Sequence, residues 1–116
     1  MTAERQLIRD TVADYYEGWF EGDVARMDRA LYPDLVKRFA GDELGITTKE
    51  RMLELTAAGE GAKDGNNGRL ELEIEIENVF GDIASVTVRA GPYHEYLHLV
   101  RTTDGWKIAN ALWRLR

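Results

Sequence analysis

The chain contains no cysteine, which removes disulfide staples, thiol nucleophiles and cysteine-ligated zinc from the possible chemistry. It has no basic excess. Fifteen Lys and Arg stand against 21 Asp and Glu, a net charge of −6, so the clustered cations that nucleic-acid binding relies on are missing. A mild acidic balance of this kind serves solubility. No apolar run approaches the roughly 20 residues of a membrane span. The opening Met1-Thr2-Ala3-Glu4-Arg5-Gln6 lacks the basic-then-apolar pattern of a secretory leader, so a cytoplasmic protein, with no membrane and no nucleic-acid partner, is the expectation. Glycine-rich phosphate loops, P-loops and nucleophile elbows are also absent. There are only two histidines, His94 and His98. Four residues apart on a strand they lie roughly 13 Å from each other, too far to share one metal, so neither a metal nor a cofactor is expected.

What is present reads as a single domain over residues 1–116. Apolar residues make up 44% and charged residues 31%, the balance of a folded globular chain rather than a disordered one. From about Thr2 to Glu21, the residues Leu7, Ile8, Thr11, Val12, Tyr15, Tyr16, Trp19 and Phe20 recur at three- and four-residue spacing, an amphipathic helix with an aromatic end. Gly22-Asp23 breaks it, and Asp23 caps a second helix from Val24 to Leu31, which Pro33 stops at Tyr32. A short strand follows between Asp34 and Ala40, then a loop, Gly41 to Gly45. Thr47 and Glu50 have capping-box spacing for a third helix through Leu55, ended by Gly59. The stretch Gly59 to Gly68 reads as a glycine-rich surface loop.

Beyond it the period changes from 3.6 to 2. Leu70, Leu72, Ile74 and Ile76 alternate with Glu71, Glu73, Glu75 and Glu77, a half-buried strand with one wet, acidic face. Three more strands follow: Ile83–Ala90, Tyr93–Thr102 and Trp106–Leu115. They are separated by Gly91-Pro92 and by Asp104-Gly105, the best hairpin signal in the chain. Helices followed by antiparallel strands make an α+β domain, in which three helices are the available cover for a sheet of about four long strands plus a short one.

This order resembles the NTF2-like superfamily, and two stretches resemble its lumazine-binding, SnoaL-like subgroup. One runs from Tyr15-Tyr16-Glu17-Gly18-Trp19-Phe20 through Tyr32-Pro33-Asp34-Leu35-Val36-Lys37-Arg38. The other is Glu95-Tyr96-Leu97-His98-Leu99-Val100 with Asp104-Gly105-Trp106-Lys107-Ile108-Ala109-Asn110. The resemblance implies a cone-shaped sheet around one pocket and pairing into homodimers through the sheet. It leaves activity open, because such domains serve as isomerases, dehydratases, hydrolases, polyketide cyclases and plain binding modules. Tyr32-Pro33 departs from the His-Pro of comparable relatives, so no role for that histidine carries over. Tyr15, eight residues before Asp23, matches the tyrosine of the isomerases. The carboxylate base those enzymes carry on the following strand is replaced here by Leu35-Val36-Lys37-Arg38-Phe39.

Acid–base candidates lie on the strand from Tyr93. His94, Tyr96 and His98 share one face, and Glu95, Leu97 and Leu99 share the other. If the first lines the pocket, His98 and Tyr96 are the catalytic pair. If the more apolar second face is the core, they stand at solvent or a subunit contact. The candidate ligand-binding set is Tyr15, Tyr16, Trp19, Phe20, Tyr32, Arg38 and Asn110. Arg38 could hold a carbonyl or anionic group, and Asn110 shares a side with Trp106, Ile108 and Leu112 on the last strand. The expected partner is a small apolar or aromatic ligand. Three functional readings follow: a ligand-binding homodimer; an enzyme of cyclase, dehydratase or hydrolase type; and an interaction module using the outer sheet face, which the acidic stripe disfavours.

Overall fold

A computed structural model describes residues 3–64 and 71–116. Thr2, the loop residues Gly65–Gly68 and Leu70 lie outside the described residues. Helix α1 (Ala3–Glu21) forms where the sequence places an apolar face, and it buries Ile8, Val12, Tyr15, Tyr16 and Gly18. Gly18 is required there: a Cβ would come within 3.1 Å of the Asp23 carbonyl oxygen and the Met27 amide nitrogen, so its absence lets the next helix fold back on α1. Asp23 caps α2 (Val24–Ala30), accepting from the Arg26 amide at 3.1 Å.

The helix ends sooner, and the strand begins sooner, than Pro33 suggests. Leu31 is already extended (φ −105°, ψ 136°) and opens β1 (Leu31–Ala40). Pro33 sits inside β1, where pairing with the last strand is irregular between Leu31 and Val36. An irregular stretch tolerates a residue that cannot donate to the ladder. Two further elements occupy segments that read as loops. Strand β2 (Leu44–Thr47) pairs antiparallel with β1 at the sheet edge, and its exposed side chains carry no alternation to announce it. Helix α4 (Glu60–Asp64) lies within the glycine-rich stretch. Between them is α3 (Lys49–Ala57), capped by Thr48, which accepts from the Arg51 amide at 3.1 Å. Thr47 is not the cap because it is still paired with Lys37.

The remaining strands are β3 (Leu72–Phe80), β4 (Ile83–Ala90), β5 (Tyr93–Thr102) and β6 (Gly105–Leu115). The six-stranded sheet has the order β2-β1-β6-β5-β4-β3. Every neighbouring pair is antiparallel except β1 and β6, which run parallel. The inner face carries the core: Leu31 and Leu35 from β1, Val86 and Val88 from β4, Leu97 and Leu99 from β5, and Ile108 from β6, all packed with Ile8, Val12, Met27 and Met52 from the helices. Helix α1 is tied across this face: Arg9 donates to the Ile74 carbonyl at 2.9 Å and Thr11 to the Trp106 carbonyl at 3.3 Å. On the outer face Arg89 lies 3.3 Å from Glu73 and 3.4 Å from Glu75, neutralising part of the acidic stripe. Among the described residues no helix is long and apolar enough to cross a membrane.

Candidate functional site

Parity on β5 decides where the chemistry lies. Burying Leu97 and Leu99 forces Tyr93 and Glu95, four and two residues before Leu97, onto the same inner face. Glu95 is therefore a core carboxylate, only 2% exposed. On β1 the same alternation turns Leu35 and Lys37 inward and Val36 and Arg38 outward. Tyr15 and Tyr16 reach the same point from α1 and are fully enclosed.

These four side chains form one chain of hydrogen bonds. Lys37 Nζ donates to the Tyr15 hydroxyl at 2.5 Å. Tyr15 donates in turn to Glu95 Oε2 at 3.1 Å, and Tyr16 donates to Glu95 Oε1. Lys37 Nζ lies 3.8 Å from Glu95 Oε2, a buried ion pair. Burial first, and the Glu95 carboxylate second, push both tyrosine hydroxyls well above their ordinary range. Burial also pulls the Lys37 ammonium below its ordinary value, opposed by the charge of Glu95.

The network forms one end of a cavity of about 440 Å³. Its walls are Tyr16, Trp19, Tyr93 and Trp113, with Met52 and Leu55 supplied by α3. Glu60, Lys63 and Leu115 stand at its more exposed margin. The aromatic walls are fixed to each other: Trp19 Nε1 donates to the Tyr93 hydroxyl at 3.1 Å, and the Tyr93 and Trp113 rings meet edge to face at 5.5 Å. Lys37 Nζ lies 5.0 Å from the Tyr15 ring centre and 5.3 Å from that of Trp113. Trp113 Nε1 is buried and has no hydrogen-bond partner among the described residues.

Of the residues singled out from the sequence, Tyr15, Tyr16 and Trp19 line this cavity. Phe20 stacks on Tyr93 at 6.1 Å rather than lining it, and Tyr32 is half-buried at the start of β1, also outside the lining. Arg38 faces outward because its neighbour Lys37 takes the inward position. Tyr96 and His98 occupy the outer face of the sheet, Tyr96 with 54% of its surface exposed. They do not converge with this cavity; His98, with Asn110, instead borders a second, more open depression of about 400 Å³ together with Asn78, Phe80 and Ile83.

Asn110 is also outside, with Nδ2 3.4 Å from His98 Nδ1. Its face differs from that of Trp106 and Ile108 because β6 carries one extra residue: His98 pairs with Asn110 but Leu99 with Ile108. This bulge at Ala109 reverses the alternation and turns Ala111 and Trp113 inward. Sequence reasoning missed Lys37, Glu95, Tyr93 and Trp113 as site residues. A signal existed for Glu95, which is in phase with Leu97 and Leu99. None existed for Trp113, because the bulge leaves no mark in the residue pattern.

The family model described as "Putative lumazine-binding" matches residues 3–114. No curated protein matches the chain. Among solved structures, an NTF2-like protein of unknown function from Silicibacter pomeroyi is 18% identical over all of both chains, with a TM-score of 0.76. A second, from Methylobacillus flagellatus, is 17% identical over all of this chain and 95% of its own, with a TM-score of 0.77. A hexachlorocyclohexane dehydrochlorinase from Novosphingobium barchaimii is 15% identical over 98% of this chain and 87% of its own, with a TM-score of 0.73. At these identities the likeness is one of fold.

Proposed function

The chain belongs to the Putative lumazine-binding family, and from that premise we propose that it is a cytoplasmic, homodimeric binding protein whose cavity holds a flat, mostly apolar small molecule. The observation that carries this is the cavity itself. About 440 Å³ is the size of a small-ligand site, and aromatic walls with a few buried polar groups at one end are the usual make-up of such sites. Leu55→Trp, on the α3 side of the cavity, would fill the space from a half-buried position. Calorimetric titration with lumazine and a set of flat two- and three-ring aromatics should give saturable binding to the wild type and none to Leu55→Trp. Equal binding to both proteins would place the ligand elsewhere and sink the reading.

A second reading, an acid–base enzyme, draws on the convergence of four titratable groups at the end of the cavity. With His98 and Tyr96 on the outer face, it would run through Glu95 and Lys37. It is the weaker of the two because both oxygens of Glu95 are already occupied by tyrosine hydroxyls, so neither is aimed at a substrate proton. Deuterium exchange into a bound ketone, lost in Glu95→Gln, would support it over the binding reading.

The homodimer would form through the outer sheet face. Register places Tyr96 beside Leu112, with Arg38 next to Leu112 and Val36 next to Asn110, so Tyr96, Leu112 and Val36 make an exposed apolar centre. Arg38 and Arg114 flank it on one side and Glu73 and Glu75 on the other. A two-fold axis through the centre and parallel to the strands would set Arg38 of each copy over the partner's β3 edge with its glutamates. Light scattering should return twice the chain mass for the wild type and a monomer for Tyr96→Glu.

A further inference from the structure

The lining of the cavity includes two hydrogen-bond donors whose bonds within the protein are missing or weak. Both oxygens of Glu95 are engaged by tyrosine hydroxyls. The Tyr15 hydroxyl accepts from Lys37 and donates to Glu95. The Tyr93 hydroxyl accepts from Trp19 Nε1. Two donors remain underused. Trp113 Nε1 is buried without a partner among the described residues, an arrangement uncommon in native interiors. Lys37 carries three N–H bonds. One goes to Tyr15; beyond it Nζ has the Met52 sulfur at 3.6 Å, a weak acceptor, and the Glu95 oxygen at 3.8 Å. Both residues belong to the cavity lining, with Lys37 Nζ 5.3 Å from the centre of the Trp113 ring.

We propose that Trp113 Nε1–H and Lys37 Nζ are the ligand's hydrogen-bond donors, and that the cavity selects a neutral planar ring system bearing a carbonyl oxygen. The inference rests on the reading of this cavity as the ligand site. A hydrocarbon of the same shape leaves the indole N–H unpaired. A carboxylate pairs with it but brings a second buried negative charge beside Glu95, whose only cation within ion-pair distance among the described residues is Lys37. An uncompensated buried charge disfavours binding far more than an unused donor does.

Three probes of similar size separate these cases by calorimetry: coumarin, which carries a ring carbonyl; naphthalene, which has no polar group; and 2-naphthoate, which is an anion. Trp113→Phe removes the N–H and keeps an aromatic ring against Phe39 and Tyr93. It should weaken coumarin by about five- to tenfold, the size of one net hydrogen bond, and leave naphthalene within about twofold, which also shows that the variant keeps its cavity. The wild type should bind 2-naphthoate at least about tenfold more weakly than coumarin, as an unpaired buried charge requires. Equal loss for coumarin and naphthalene, no loss for coumarin, or tighter binding of 2-naphthoate overturns the assignment while leaving the cavity a ligand site. Binding of none of the three removes the ligand-site reading and this inference with it.

Discussion

Replacing Lys37 with methionine tests the buried network most directly. Methionine keeps the length and apolar stem of the lysine and removes only its charge and donors. The partner, Glu95, is 2% exposed and 3.8 Å from Nζ, a separation worth about 4 kcal/mol at an effective dielectric constant of 20. The full loss is not expected at every pH, because a carboxylate stranded without its cation can escape by taking up a proton. Relative to an unfolded glutamate that titrates at about 4.3, that escape costs about 1.36 kcal/mol per pH unit, hence about 3.7 kcal/mol at pH 7 and about 1 kcal/mol at pH 5. Lys37→Met should therefore lose about 3 kcal/mol at pH 7 and about 1 kcal/mol at pH 5. The sign follows from linkage: the folded variant then binds a proton that the unfolded chain releases, so its stability falls as pH rises. Lys37→Met/Glu95→Gln should recover most of the deficit at pH 7, since no buried charge is left uncompensated. Urea unfolding of the three proteins at pH 5, 6 and 7, followed by circular dichroism, reads all of this. A deficit below about 1 kcal/mol at pH 7, or one that does not shrink on acidification, would refute the buried pair.

Both tyrosine hydroxyls are held above their ordinary value, so the stability they contribute is present below about pH 10 and is lost as pH rises beyond it, by about 1.4 kcal/mol per pH unit for each. Tyr16→Phe should cost about 1.5–3 kcal/mol at pH 7 and show a shallower alkaline decline by one such slope; parallel stability curves up to pH 11.5 would count against the burial. A Cβ at Gly61 would stand 2.1 Å from the Trp19 carbonyl oxygen, a backbone atom with little room to retreat. Gly61→Ala should thus cost about 2 kcal/mol in urea unfolding, and a change under about 0.5 kcal/mol would show that α4 does not press on α1. Thr48→Ala removes the cap of α3 and should lower stability by about 1 kcal/mol, measured as a drop of several degrees in Tm; an unchanged Tm would mean that the cap contributes nothing.

The long elements were readable from the residues because each has a clean period. The spacing of Ile8, Val12, Tyr15 and Tyr16 is that of a helix face, and the alternation of Leu72, Ile74 and Ile76 with glutamates is that of a strand with one wet side. The short elements were not. Leu44–Thr47 becomes a strand only because β1 offers it an edge, and Glu60–Asp64 becomes a helix against α1, where Gly61 meets Trp19. The candidate site was half legible. Tyr15, Tyr16 and Trp19 follow from the helix period alone. Glu95 was visible in phase with Leu97 and Leu99, but a charged residue on a core face competes poorly with two histidines as a source of chemistry. Asn110 and Trp113 exchanged faces through one extra residue at Ala109, and no pattern of period two survives such an insertion. The parallel pairing of β1 with β6 joins segments some 75 residues apart and leaves no local trace.

That pairing bears on how the protein is made. β6 lies between β1 and β5, so the strand synthesised after every other element of the fold fills the middle of the sheet rather than its edge. Until it arrives, β2 with β1 and the β3–β4–β5 meander are two fragments with open edges, and the cavity lacks the wall that Trp113 and Leu115 provide. Such a chain can complete its sheet only after β6 has left the ribosome. Its closure depends on a long-range contact, the kind that slows folding and keeps strand edges exposed meanwhile. A nascent chain stalled before Gly105 should be protease-sensitive and prone to pairing with its neighbours, and release of the last eleven-residue strand should bring both sheet integrity and the ligand site into being in a single step.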